Sequence, residues 1–229
     1  MASLKKQVIG KISGKVGDLI FRNRNDNNYI ALKPIRVNSP KDERAISRRM
    51  KFKSATQLAS AINSIIPLKM QWTYKTSGNN SVYNRLVKAN YPTLISSLPS
   101  EFSVLTPPKG FGVITQTISV NETEIKVGID AIGANAGINP VVEKTIRLAA
   151  VLCLSGPPNP MYSDVVYLPF ISEQQTLNLN SALTFQIALN INEAELFNLY
   201  STKKLLAGFI TFDVDSLPIS HSETIYHQQ

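Results

Sequence analysis

Two short alternating runs open the chain's regular structure. In the stretch 18–24, Leu19 and Phe21 fall on one side of an extended strand, and in 29–37 so do Ile30 and Leu32, because strand side chains alternate. The polar cluster Asn25-Asp26-Asn27-Asn28 between them supplies a turn, so the pair predicts a β-hairpin. Pro34 places the second strand at an edge or at the end of its pairing. Ahead of the hairpin, residues 10–17 (GKISGKVG) hold three glycines and read as a flexible or tightly turning lead-in.

The period then lengthens. Ser39-Pro40-Lys41-Asp42 has the form of a capping box, with Pro40 at the first helical position and Asp42 near the positive helix end. Apolar residues recur at Ala45, Ile46, Phe52, Ala55, Ala59, Ile62 and Ile66, which predicts a helix from about Pro40 to Ile65, ended by Pro67. A second, shorter helix is expected near Ser81–Asn90, with the pairs Val82/Leu86 and Tyr83/Val87 each four apart.

From Pro99 the pattern becomes that of strands. Thr106-Pro-Pro-Lys-Gly reads as a linker, and strand-like runs follow at 112–120, 124–132, 145–154, 164–170, 184–190 and 205–214. A single helix is expected at 192–200, capped by Asn192. Six or seven short strands over roughly 120 residues predict an antiparallel, immunoglobulin-like β-sandwich. The expected fold class is therefore α+β and β-rich: a β-hairpin and helices over 1–98, then a sandwich over 99–229.

Charge sharpens this division. Residues 1–91 carry 18 Lys+Arg against 4 Asp+Glu, while residues 92–229 carry 6 against 12, so balances of +14 and −6 make up the net +8. Such asymmetry suggests a different partner for each part. The longest apolar runs, such as 148–154, are far short of the roughly 20 residues of a membrane helix, so no membrane insertion is expected. The opening MASLKKQVI lacks an apolar signal core, so the chain is expected in the cytoplasm on synthesis and then in a virion or assembled particle. Cys153, the one cysteine, sits in the apolar run LAAVLCL and reads as a buried small hydrophobe.

The parts that catalysis needs are missing from the pattern. Both histidines, His221 and His227, fall in the last nine residues, expected to be a mobile tail. One cysteine and two tail histidines write no zinc site, and no G-x-S-x-G elbow occurs. The segment from Gly10 to Lys15 has three residues between its glycines instead of four, and Val16 follows the lysine, so it is no phosphate loop. Asp213 and Asp215 would share one strand face, within reach of a cation but better read as a solvent-facing edge. No enzyme activity, cofactor or metal is expected.

One constellation stands above background. Lys11, Lys15, Arg22, Arg24 and Arg36 lie on or around the hairpin, Arg44, Arg48 and Arg49 on the helix, and Phe21, Tyr29 and Phe52 are interleaved. Cations seek phosphates or an acidic protein surface, and interleaved aromatics permit stacking on single strands. No helix-turn-helix, zinc-finger or RNP-type signature accompanies them. A two-stranded ribbon with an apolar face is marginal alone and offers free edges. Docking on another protein subunit, as a homo- or hetero-oligomer, is therefore the leading expectation. Its candidate residues are Lys11, Lys15, Phe21, Arg22, Arg24, Tyr29, Arg36, Arg44, Arg48 and Arg49; nucleic-acid contact is the alternative.

The segment GKISGKVGDLIF (10–21), then YIALKP (29–34), then Pro40 through Arg48-Arg49-Met50-Lys51-Phe52 resembles an uncharacterised family of Bacteroidota and phage-associated proteins (domain of unknown function 6266). The resemblance covers about 50 residues and implies an immunoglobulin-like C-terminal region and a virion or surface-assembly context; no activity is established for that family, so the resemblance implies none in particular. This chain has Ala31-Leu32 where that family commonly carries an arginine.

Overall fold

A computed structural model describes residues 2–3, 13–24, 27–33, 42–75 and 80–229. The chain forms two compact units, Met1–Asp42 and Glu43–Gln229. The expected capping box at Ser39–Asp42 and the expected place of Pro34 fall largely or wholly outside the described residues.

The first unit is an antiparallel sheet of β1 (Ala2–Ser3), β2 (Gly14–Val16), β3 (Leu19–Arg24) and β4 (Asn27–Leu32), in the order β1-β4-β3-β2. The expected hairpin is the pair β3–β4, which runs in register from Leu19↔Leu32 to Arg24↔Asn27. A second turn at Gly17-Asp18 joins Val16 to Leu19, and Gly17 takes the left-handed φ of 58° that such tight turns demand.

The second unit begins with α1 (Glu43–Ser64), α2 (Ile66–Lys75) and α3 (Val82–Asn90). Pro67 does not end helical structure as expected. It lies in the first turn of α2, where its missing N–H is no loss, and the chain only bends at Ile65. Strands β5 (Thr115–Val120), β6 (Glu124–Ile129), β7 (Thr145–Ser155), β8 (Val165–Ile171), β9 (Gln175–Thr176) and β10 (Leu183–Ala188) follow. Then come α4 (Ile191–Leu199), β11 (Thr202–Phe212), β12 (Pro218–His221) and β13 (Ile225–Gln228).

Two antiparallel sheets result. One has the order β10-β6-β5; the larger runs β12-β11-β7-β8, with β13 on β11 and β9 on β7. Ile125, Val127, Ile129, Phe185 and Ile187 of the small sheet share one core with Leu148, Ala150, Leu152, Leu205, Ala207 and Phe209 of the large one. The fold is thus α+β and β-rich, with a sandwich of two sheets.

The opposite face of the large sheet corrects the expected division at 98/99. Ala149, Val151, Leu206, Ile210 and Phe212 pack with Leu58, Ile62, Leu68, Trp72 and Leu86, so the three helices form a third layer on the sandwich. Packing divides the chain after Asp42 instead. The reason lies in β7, whose run from Leu148 to Ser155 is buried without alternation. A strand apolar on both faces needs cover on both. Trp72 Nε1 donates to the Leu105 carbonyl at 2.9 Å, and buried Asn90 exchanges two bonds with the Val104 backbone, fastening the helices to the chain that leads into the sheets.

Three further expectations change. The cap of α4 is Asn190, not Asn192, and a full capping box joins Asn190 and Glu193. β11 ends at Phe212, and Asp213 accepts the backbone N–H groups of Asp215 and Leu217, so the two aspartates share a turn and not a strand face. The last residues are no mobile tail: β12 and β13 pair with β11, and His221 is buried at 4% exposure. Thr106-Pro-Pro-Lys-Gly is not a linker either, because residues 105–107 are buried and Thr224 Oγ1 accepts the N–H groups of Leu105 and Thr106.

Candidate docking surface

The first unit's register sorts its side chains by face. Directly opposed residues on neighbouring strands point to the same side. Val16 opposes Leu19, Leu19 opposes Leu32, and Phe21 opposes Ile30, so these five side chains line one face. Val16 and Leu32 are 67% and 74% exposed, and Leu19 is 40% exposed. Phe21 and Ile30 are half-buried, and Asn23 donates to Asn28 at 2.8 Å on the same side.

The opposite face is different in kind. Lys15 opposes Ile20, Ile20 opposes Ala31, and Arg22 opposes Tyr29. Lys15 and Arg22 are exposed and Tyr29 is half-buried. The sheet thus separates Phe21 from the cations with which the linear sequence interleaves it. Tyr29 keeps a cationic neighbour and Phe21 joins an aliphatic strip. Among the described residues of this unit no helix covers either face.

The remaining candidates divide. Arg24 belongs to β3, with only its backbone described, and Lys11 and Arg36 lie outside the described residues. Arg44, Arg48 and Arg49 belong to the second unit, on the exposed side of the first turns of α1. Further along that helix, Lys51 Nζ stands 5.3 Å from the Tyr91 ring centre, and Phe52 meets the same ring edge-on at 6.4 Å. Phe52 is therefore engaged beside α3, although 55% of it stays exposed. Sequence reasoning missed Val16. Its signal was the Gly17-Asp18 turn, which folds Val16 back beside Leu19.

Among the described residues no group of three or more His, Cys, Asp or Glu could hold a metal ion. Cys153 is buried, and burial pushes its thiol up to about 12, against a smaller opposing effect of its bond with Tyr167. Among the described residues no helix is long and apolar enough to cross a membrane.

No family model matches the chain, and no curated protein matches it. Among solved structures, 58% of the chain is similar to part of a selenomethionine-labelled beta-glucosidase from Kluyveromyces marxianus, at 13% identity and a TM-score of 0.23. The matched part is 16% of that chain, and a likeness so slight carries no argument about fold or activity.

Proposed function

We propose that this chain is a non-enzymatic structural subunit of a phage virion or a similar multi-protein assembly, docking through its N-terminal sheet onto another protein subunit. The observation that carries the reading is the strip Val16, Leu19, Phe21, Ile30 and Leu32, apolar across three strands and open to solvent at one end. Burying such side chains contributes about 1.5–3 kcal/mol each, a strong incentive to find a covering surface. The simplest partner is a second copy. Residues 1–42 hold 9 Lys+Arg and 3 Asp+Glu, and the stretch 92–229 has the opposite balance of 6 and 12. The apolar strip supplies the affinity, and charge adds little, because the helices at 43–91 that share the second unit with that stretch carry 9 Lys+Arg and 1 Asp+Glu.

One observation favours a second reading. Arg22 directly opposes Tyr29 on a face that also carries Lys15, a cation–aromatic arrangement suited to a single-stranded nucleic acid. Light scattering coupled to size exclusion, with absorbance at 260 and 280 nm in low and high salt, separates the two. A mass of several subunits with a protein-like absorbance ratio supports docking between copies. A high ratio that falls with salt supports the nucleic-acid reading. A strict monomer that also fails to bind its co-expressed genomic neighbours removes the structural reading.

A further inference from the structure

In the second unit, a cavity of about 290 Å³ opens beside His221, lined by Lys75, Lys109, Phe111, Gly137, Ser220 and His221 among others. Its walls come from the last turn of α2, the segment after Pro107, the region around Gly137, and β12. That size lies near the lower end of small-ligand pockets.

The segment around Lys109 is held at many points. The Phe111 N–H donates to the His221 carbonyl at 2.9 Å, and the Glu223 N–H returns a bond of 2.9 Å to the Phe111 carbonyl. His221 Nε2–H donates to the Pro107 carbonyl at 3.0 Å. Gly110 lies so close to β12 that a Cβ there would stand 2.3 Å from the Ser222 backbone carbon. Between these ties Lys109 takes a left-handed φ of 69°. That conformation costs a lysine about 1 kcal/mol or more, and it persists where the surroundings over-determine it. Those ties hold the strained backbone of Lys109, a residue that lines the cavity.

The charge at the cavity is of one sign. Lys75 and Lys109 are exposed residues on its lining, Ser220 is a third polar one, and among the described lining residues none is Asp or Glu. Buried Phe111 adds an apolar aromatic wall. Two lysines on the rim of one concavity favour an anion there, and lysine is a ready partner for oxyanions. We infer that this cavity binds a small ligand ending in an oxyanion, with Lys75 and Lys109 on the anionic group and an apolar or aromatic body against Phe111.

The test is calorimetric titration of the full-length protein with phenyl phosphate and with benzoate, at constant ionic strength in chloride. Saturable binding of either is expected, and the one that binds identifies the oxyanion as phosphate or carboxylate. Lys75→Gln combined with Lys109→Gln is expected to weaken that binding at least tenfold, while Lys126→Gln, on β6 and outside the cavity, leaves it unchanged. Should the double variant fold poorly, the single variants are read in its place, each weakening binding several-fold. Absence of saturable binding for both probes, or equal binding by wild type and the lysine variants, overturns the inference.

Discussion

The Gln71 side chain meets the ring of His221 across 150 residues of sequence, with Oε1 3.0 Å from Nδ1. Both groups are buried, and the opposite ring nitrogen already donates to Pro107. A neutral ring protonated on Nε2 needs a donor facing Nδ1, whereas an imidazolium needs an acceptor there. With Oε1 toward the ring, Gln71 Nε2 is left buried without a partner. Turning the amide over puts the nitrogen against Nδ1 and suits the neutral ring, so Gln71 is matched to either charge state of His221 by one rotation. The pair joins the helical layer to the last strands of the large sheet.

This contact makes stability depend on pH. Burial is the main cause holding His221 below its ordinary value of 6.5; the charge of Lys75 adds to it and the Pro107 carbonyl opposes it. The unfolded chain therefore binds the proton more readily than the native one. The stability contributed is full above pH 6.5 and is lost as pH falls from 6.5 towards the native value, at no more than about 1.4 kcal/mol per pH unit. Urea melts at pH 7.5 and 5.5 should show the loss, and His221→Gln should flatten it. Gln71→Leu should cost about 1–3 kcal/mol at pH 7.5 by stranding Nδ1.

Gly110→Ala tests how tightly the segment before β5 is held. The added methyl would meet backbone and not a flexible side chain, so one of the two chains must shift. A loss of about 1–3 kcal/mol is expected in a denaturant melt. At Gly112, which has open space around its Cβ position, the same substitution should cost far less.

Val16→Asp combined with Leu32→Asp addresses the apolar strip. Both positions are largely exposed, so each change should alter stability by no more than about 0.5 kcal/mol. Self-association should weaken at least tenfold, because two apolar contacts worth about 1.5–3 kcal/mol each become buried charges. Sedimentation velocity across a concentration series would read the shift.

Cys153 should be inert in the folded protein. With its thiol pushed up to about 12, its thiolate fraction at pH 8 is roughly a thousandfold below that of an ordinary thiol. Labelling by a chromogenic disulfide should proceed only after denaturation, and rapid native-state labelling would show that β7 opens. Ser54 and Tyr167 exchange a bond of 2.7 Å beside it, so a polar chain under α1 closes this part of the core.

The sequence alone determined what local pattern controls. Alternation at Leu19/Phe21 and Ile30/Leu32 set the hairpin, because pairing two short strands needs only a turn and a matching face. The helices at 43–64 and 82–90 and the six named strands followed from periodicity and turn residues, and the buried cysteine from its apolar neighbours. Tertiary structure decided the rest. Whether the helices belonged to the basic segment or to the sheets depended on what covers the second face of β7, and an unbroken apolar run does not name its cover. His221 read as tail because β12 is four residues long and exists only by pairing with β11. The cavity of Lys75, Lys109 and His221 draws on residues up to 146 positions apart, brought together by packing that no local pattern encodes.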